Sequence, residues 1–157
     1  MSESVSLVVF RIEKQRYGLL LSVVERIVRA AEVTVLPKAP AMVIGVLDVE
    51  GRVLPVLNIR QRLGLPEHQI TPAEQFVIAR TSRREIVFVV DEALGVIDLP
   101  PSGMVNATQI IPGLEQIRGV VQLPDGLVLI HDLEKFLSWE EERALDEALR
   151  EGATHAS

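Results

Sequence analysis

Short apolar runs broken by turn residues recur along most of the chain, and they predict strands. Residues 5–12 and 17–21 are strand-like and are separated by a polar turn at 13–16. Residues 32–36 form another candidate, stopped by Pro37 and Pro40. The clearest hairpin joins 43–49 to 52–57, with Glu50-Gly51 at its tip. Glycine there supplies the positive φ that a tight turn requires. A short helix is expected over 59–63, ended by Gly64, followed by a polar loop over 66–72. Strands resume at 76–81 and 85–90, and then come one helical turn over 91–94, a strand over 96–99 and a loop over 100–106. A last hairpin pairs 117–123 with 127–131 around Pro124-Asp125-Gly126, a strong turn signal. The end of the chain changes period. Ser138 and Glu141 have the spacing of a capping box, and Leu145, Ala148 and Leu149 fall on one helical face.

The apolar pattern also repeats. Leu7, Val8 and Val9 match Phe76, Val77 and Ile78 at an offset of 69, as Leu19, Leu21 and Ile27 match Phe88, Val90 and Val96. Further on the offset becomes 74, which aligns Gly45 with Gly119, Val56 with Ile130, and Asn58 with Asp132. One strand–strand–turn–strand–hairpin–helix unit is therefore present twice. About five such strands can close into a small barrel, which removes exposed sheet edges. The expected fold is all-β: two small barrels side by side, sealed by a terminal helix.

Composition narrows what such a fold can do. At 157 residues the chain can bury a core without covalent staples, and it has no cysteine. Residues 1–10 lack the pattern of a secretory leader, and no apolar run approaches the ~18 residues of a membrane helix. A cytoplasmic protein without direct membrane insertion is expected. A formal charge of −6 disfavours nucleic acid, which needs clustered Lys and Arg. The 48% hydrophobic content fits either a well-filled core or an exposed contact surface.

Reactive constellations are scarce. His68, His131 and His155 fall in a linker, at a strand end and in a tail, without metal-ligand spacing, so neither a metal nor a cofactor is expected. Asp132 is better suited to cap a helix than to orient His131, since neighbouring strand residues face opposite ways. Asp91 and Glu92 are adjacent carboxylates, and Asp91 is expected to cap the turn at 91–94. The arginines between 80 and 84 read as a solvated turn. No phosphate-binding glycine loop occurs, and no catalytic residue is expected. The acidic terminal helix either docks on a partner or covers its own domain with Trp139, Leu145 and Leu149; the second reading is favoured.

The run Val43-Ile44-Gly45-Val46-Leu47-Asp48-Val49-Glu50-Gly51-Arg52-Val53-Leu54-Pro55-Val56-Leu57-Asn58-Ile59-Arg60 resembles the central signature of CheW-like domains. Tyr17-Gly18-Leu19, the spacing from Leu36-Pro37 to Pro40, Val90-Asp91-Glu92-Ala93-Leu94-Gly95-Val96, and Gly126 to Ile130 with Asp132-Leu133 fit the same family. The resemblance implies two intertwined five-stranded SH3-like barrels within a single domain over 1–152. One barrel is expected mainly from 16–70 and the other mainly from 74–137 plus the N-terminal strand. The helix is expected over 138–151 and a disordered tail over 153–157. It also implies a function. Such proteins are non-catalytic adaptors that connect the regulatory domain of a CheA-type histidine kinase to the cytoplasmic tips of methyl-accepting chemoreceptors.

The implied contact residues are Val24, Ile27 and Val96, lining a groove for a receptor helix, and Gly45, Val46, Val49, Glu50 and Arg52 on the hairpin facing the kinase. Two charges depart from the family. Glu50 stands where arginine usually precedes the tip glycine, and Arg26, nineteen residues before Gly45, stands where glutamate is frequent. Either the two form a reversed ion pair that alters partner preference, or both are exposed positions that have drifted. Two further readings remain: a small-ligand sensor with its ligand between the barrels, and an adaptor acting outside chemotaxis.

Overall fold

The structure is a computed structural model, and it describes residues 5–67, 69–99, 104–106 and 117–155. The strands are β1 (Val5–Ile12), β2 (Gln15–Leu20), β3 (Val24–Arg29), β4 (Val43–Val49), β5 (Arg52–Leu57), β6 (Gln75–Arg80), β7 (Glu85–Val90), β8 (Glu92–Leu99), β9 (Met104–Asn106), β10 (Ile117–Leu123) and β11 (Gly126–His131). The helices are α1 (Ile59–Leu63) and α2 (Trp139–His155). Strands and turns alternate because β-branched and aliphatic runs end at Gly, Pro or charged pairs.

Two sheets result, with strand orders β8-β1-β2-β11-β10-β9 and β3-β6-β7-β5-β4. All neighbours are antiparallel except β2 with β11 and β5 with β7. The repeat survives in the registers. Ala93 lies opposite Phe10 as Val24 lies opposite Ala79, and each ladder has a bulge beside that pair. Gly18 lies beside Ile130 as Val87 lies beside Val56.

The division of the chain between the sheets differs from the expected 16–70, and 74–137 plus the N-terminal strand, in where β2, β6 and β7 go. The hairpins are exchanged: β1–β2 completes the sheet of β8–β11, and β6–β7 completes the sheet of β3–β5. Near-identical hairpins carry the same apolar pattern, so periodicity does not say which sheet receives which. Closure is also less than a full barrel. Among the described residues, the second sheet is joined end to end only by a bridge between Thr34, in the segment after β3, and Val46, with N–O distances of 2.7 and 3.0 Å. That bridge is all that forms of the strand expected over 32–36, since Pro37 lacks a donor and Lys38 turns to positive φ. In the first sheet the equivalent segment reaches three residues as β9, where a loop was expected; residues 100–103 lie outside the described part.

Burial follows from the exchange. The inserted hairpins are apolar on both faces. Leu7 and Val9 face Val121, Val128 and Ile130 inside the first sheet, and Phe76, Ile78 and Val87 face Val49, Leu54 and Val56 inside the second. Their other faces, with Phe10, Tyr17, Leu19, Val77, Phe88 and Val90, meet between the sheets under Phe136 and Leu145. Fully burying a residue of this size is worth roughly 1.5–3 kcal/mol. The central layer therefore joins the two sheets strongly.

The terminal helix begins as expected, with Glu141 N–H donating to Ser138 Oγ at 3.1 Å and Ser138 N–H to Glu141 Oε1 at 2.8 Å. It continues to His155, past the expected end at 151; residues 156–157 lie outside the described part. Leu145 and Ala148 are buried, but Trp139 is 61% exposed and lies 4.8 Å from Arg143 in a cation–π contact. It adds nothing to the buried core, contrary to expectation, because the last turn before α2 already fills that core with Phe136. Arg84 is not a solvated turn residue either. It donates to Glu142 at 3.0 Å and also binds Asp146, which fixes the helix to the β6–β7 turn.

Candidate partner-binding surface

The β4–β5 tip is shaped by two consecutive positive φ values, 52° at Glu50 and 86° at Gly51, and Gly51 N–H donates to Asp48 Oδ1 at 2.9 Å. The turn lifts the Glu50 carboxylate to Arg26 on β3, 3.1 Å away. The reversed ion pair thus forms, with side chains 42% and 71% exposed. Around it lies a lattice of alternating charge. Arg52 bonds Glu85 and sits 3.7 Å from Glu25, and Arg80 reaches Glu25 at 3.3 Å. Sequence reasoning missed Arg80 and Glu85. Their signal was available: they are the first and last strand residues around the 81–84 turn, hence directly opposed.

Not every expected contact residue faces outward. Val49 is buried in the core of the second sheet. Gly45 is buried, and a Cβ there would come within 2.2 Å of the Thr34 carbonyl oxygen; Val46 holds the Thr34 bridge. All three help hold the hairpin in place; Gly45 and Val49 offer no side chain outward, whereas Val46 is half-buried. Val24 and Ile27 pack partly on the central core from β3, an edge of the second sheet. Val96 is 56% exposed on β8, an edge of the other sheet.

A cleft of about 1000 Å³ opens elsewhere, over Ile44, Leu57 and Val89 and between the 30–35 and 67–74 segments. Several of its polar groups are already engaged. Asn58 donates to Glu67 at 3.0 Å while its own Oδ1 caps α1, and Thr71 N–H donates to Glu74 at 2.8 Å. Arg60, 7% exposed, is neutralised by Asp91 at 2.7 Å and by Glu13. That accounts for Asp91, which caps no helical turn: it takes Glu13 N–H at 2.8 Å and continues the β1 ladder, so β8 starts at Glu92. Asn58, Arg60 and Glu74, the groups best placed to fix a small ligand there, are thus tied up within the protein.

His131 is buried between Phe10, Tyr17 and Phe136, with ring centroids 5.7, 4.7 and 5.0 Å away. Burial lowers its pKa to about 3, and neither ring nitrogen has a hydrogen-bond partner among the described residues. It has no reach to solvent or substrate. Asp132 caps the following turn, accepting from Glu134 N–H at 3.1 Å, as its repeat-mate Asn58 does. Among the described residues no cluster could hold a metal ion, and no helix is long and apolar enough to cross a membrane. His68 lies outside the described part.

The family model of the CheW-like domain matches residues 6–141. The chain belongs to the CheW-like family. Its domain is 27% identical over 145 residues to the chemotaxis protein CheW of Treponema pallidum, covering 88% of this chain and 85% of that one. It is 32% identical over 117 residues to the protein FrzA of Myxococcus xanthus, covering 70% and 73%. In fold, this CheW-like domain is similar to the scaffolding protein TtCheW from Thermoanaerobacter tengcongensis, with a TM-score of 0.80, 19% identity, and coverage of 90% and 96%.

Proposed function

We propose that this CheW-like domain is a non-catalytic cytoplasmic adaptor. It couples the regulatory domain of a CheA-type histidine kinase to the tips of methyl-accepting chemoreceptors within a chemosensory array. The observation that carries the reading is the family match over residues 6–141, together with relatives named as chemotaxis proteins. The surface supports it physically. An exposed lattice of paired charges adds little to stability but discriminates strongly between partners.

The kinase-facing side is the β4–β5 tip with Arg26, Glu50 and Arg52. The reversed Arg26–Glu50 pair keeps the local geometry and inverts the sign presented, so a partner built for the usual polarity meets like charge. The receptor-facing side is the pair of edges carrying Val24, Ile27 and Val96. Gly45, Val46 and Val49 serve by holding the tip. A second reading keeps the adaptor role but moves it outside chemotaxis, favoured by the 32% identity to a relative that does not bear the CheW name.

Capture from source-cell lysate with tagged protein, repeated with Arg26→Glu/Glu50→Arg, tests both levels. Recovery of a CheA-type kinase and receptors by the parent, with changed kinase preference in the exchanged form, is the expected result. Recovery of neither from cells that express both would sink the reading. Unchanged preference would sink only the role of the reversed pair.

A further inference from the structure

The exchanged hairpins are interchangeable by backbone and by apolar pattern. Each is antiparallel within itself, and each lays its second strand parallel to an outer hairpin in the same register. Charge is what distinguishes them. In the first sheet, Arg16 at the turn end of the inserted hairpin meets Asp125 in the β10–β11 tip at 3.0 and 3.3 Å. Glu85 follows Arg16 by the repeat offset of 69 and fills the same place in the second sheet, where it pairs with Arg52 beside the β4–β5 tip. The sign is inverted. Hairpin β1–β2 set beside β5 would bring Arg16 to Arg52, and β6–β7 set beside β11 would bring Glu85 to Asp125. Like charges directly opposed disfavour a strand pairing.

We propose that the two oppositely signed pairs, Arg16–Asp125 and Glu85–Arg52, sort the hairpins, sending each to its proper sheet.

The wrong pairing is a competitor because β1 to β5 precede β6 in the chain, so the edge of β5 is open to β2 until β7 arrives. It cannot mature. In that arrangement β3 would run parallel to β2 with β1 between them, and the link would have to return along a six-residue strand of about 20 Å. The three residues Leu21–Val23 bridge at most about 14 Å. A misdocked chain therefore stalls with β3 unformed, or completes its sheet with a second copy and becomes an oligomer. Rejecting the wrong hairpin early avoids both.

Refolding from urea by dilution, read by far-ultraviolet circular dichroism and by the monomer fraction on gel filtration, tests the code. Arg16→Glu/Asp125→Arg retains a native ion pair but puts a carboxylate at this place in both hairpins and an arginine opposite each of them. Its monomer yield is expected to fall severalfold while its equilibrium urea midpoint stays close to that of the parent. Adding Arg52→Gln removes the charge that draws the first hairpin to the wrong tip. The triple variant is expected to regain yield although it has lost a further native ion pair. A merely structural role for these pairs predicts the reverse order, with the triple variant worst. Parental yield in the double exchange, or a triple variant that refolds no better than the double, overturns the proposal.

Discussion

The seams beside the two helical turns place unlike groups at like positions. Arg60, at the start of α1, is nearly buried and held by Glu13, by Asp91 at 2.7 Å and by the Pro66 carbonyl at 3.0 Å. Its repeat-mate 74 residues on is Glu134, which is exposed and accepts from Ser82 N–H at 2.5 Å and Ser82 Oγ at 2.8 Å. Ser82 follows Glu13 by 69, so the whole arrangement is repeated with lighter chemistry. The core shows the same contrast: unpartnered His131 occupies the place that Leu57 fills in the other half. Backbone register tolerates these differences, so geometry is set by strand pairing and apolar pattern, while polar groups modulate stability site by site.

The strongest way to break the comparison is at the seams. Arg60→Ala leaves the largely buried Asp91 without its cation, while Glu13 keeps access to water, and a loss of about 2–3 kcal/mol is expected in urea unfolding. Glu134→Ala, at the light seam, is expected to cost less than about 1 kcal/mol. Equal losses would refute the contrast. Next in size is Gly45→Ala, which forces a Cβ against the Thr34 carbonyl and should cost about 1–3 kcal/mol. Hydrogen exchange in β4 would rise with it, because the single bridge that closes the second sheet is strained.

His131→Leu imports the residue of the other half. Removing an unpartnered buried imidazole is expected to stabilise the protein by about 1–2 kcal/mol at pH 7. The sign of the pH effect follows from the lowered pKa. The unfolded chain takes up a proton below its ordinary 6.5, whereas the folded state refuses it down to about 3. The parent therefore keeps this contribution above pH 6.5 and loses up to about 1.4 kcal/mol per unit between 6.5 and 3. The variant should lack that acid loss; identical slopes would sink the assignment. The smallest effect is expected for Arg26→Glu/Glu50→Arg, within about 1 kcal/mol, since both side chains stand in water. A larger loss would mean the tip lattice is structural.

Local features were legible in the sequence wherever one residue decides them. The β4–β5 hairpin, α1 with its Asn58 and Gly64 caps, and the Ser138–Glu141 box follow from turn and capping chemistry alone. The repeat was visible because burial on both faces keeps the inserted hairpins continuously apolar. Of the exchange, the family resemblance implied only that the N-terminal strand goes with the later half; matching patterns cannot name the partner sheet of β2, β6 or β7. β3 was passed over because Glu25 and Arg26 interrupt its apolar run; their partners Arg52, Arg80 and Glu50 lie far off in sequence. Of the candidate surface, the Arg26–Glu50 pair was legible from its inverted signs. The inward roles of Gly45 and Val49 depend on where the 30–35 segment folds back, which no local signal encodes.

The chain has one tryptophan, and its exposure at the start of α2 has a spectroscopic consequence. Indole emission already comes from a water-bathed ring stacked on Arg143, so unfolding the core should shift it little. Fluorescence would then be a poor gauge of stability here. It would be a sensitive one for anything that settles on the first turn of that helix, where a covered ring would move to shorter wavelength while the core stayed unchanged.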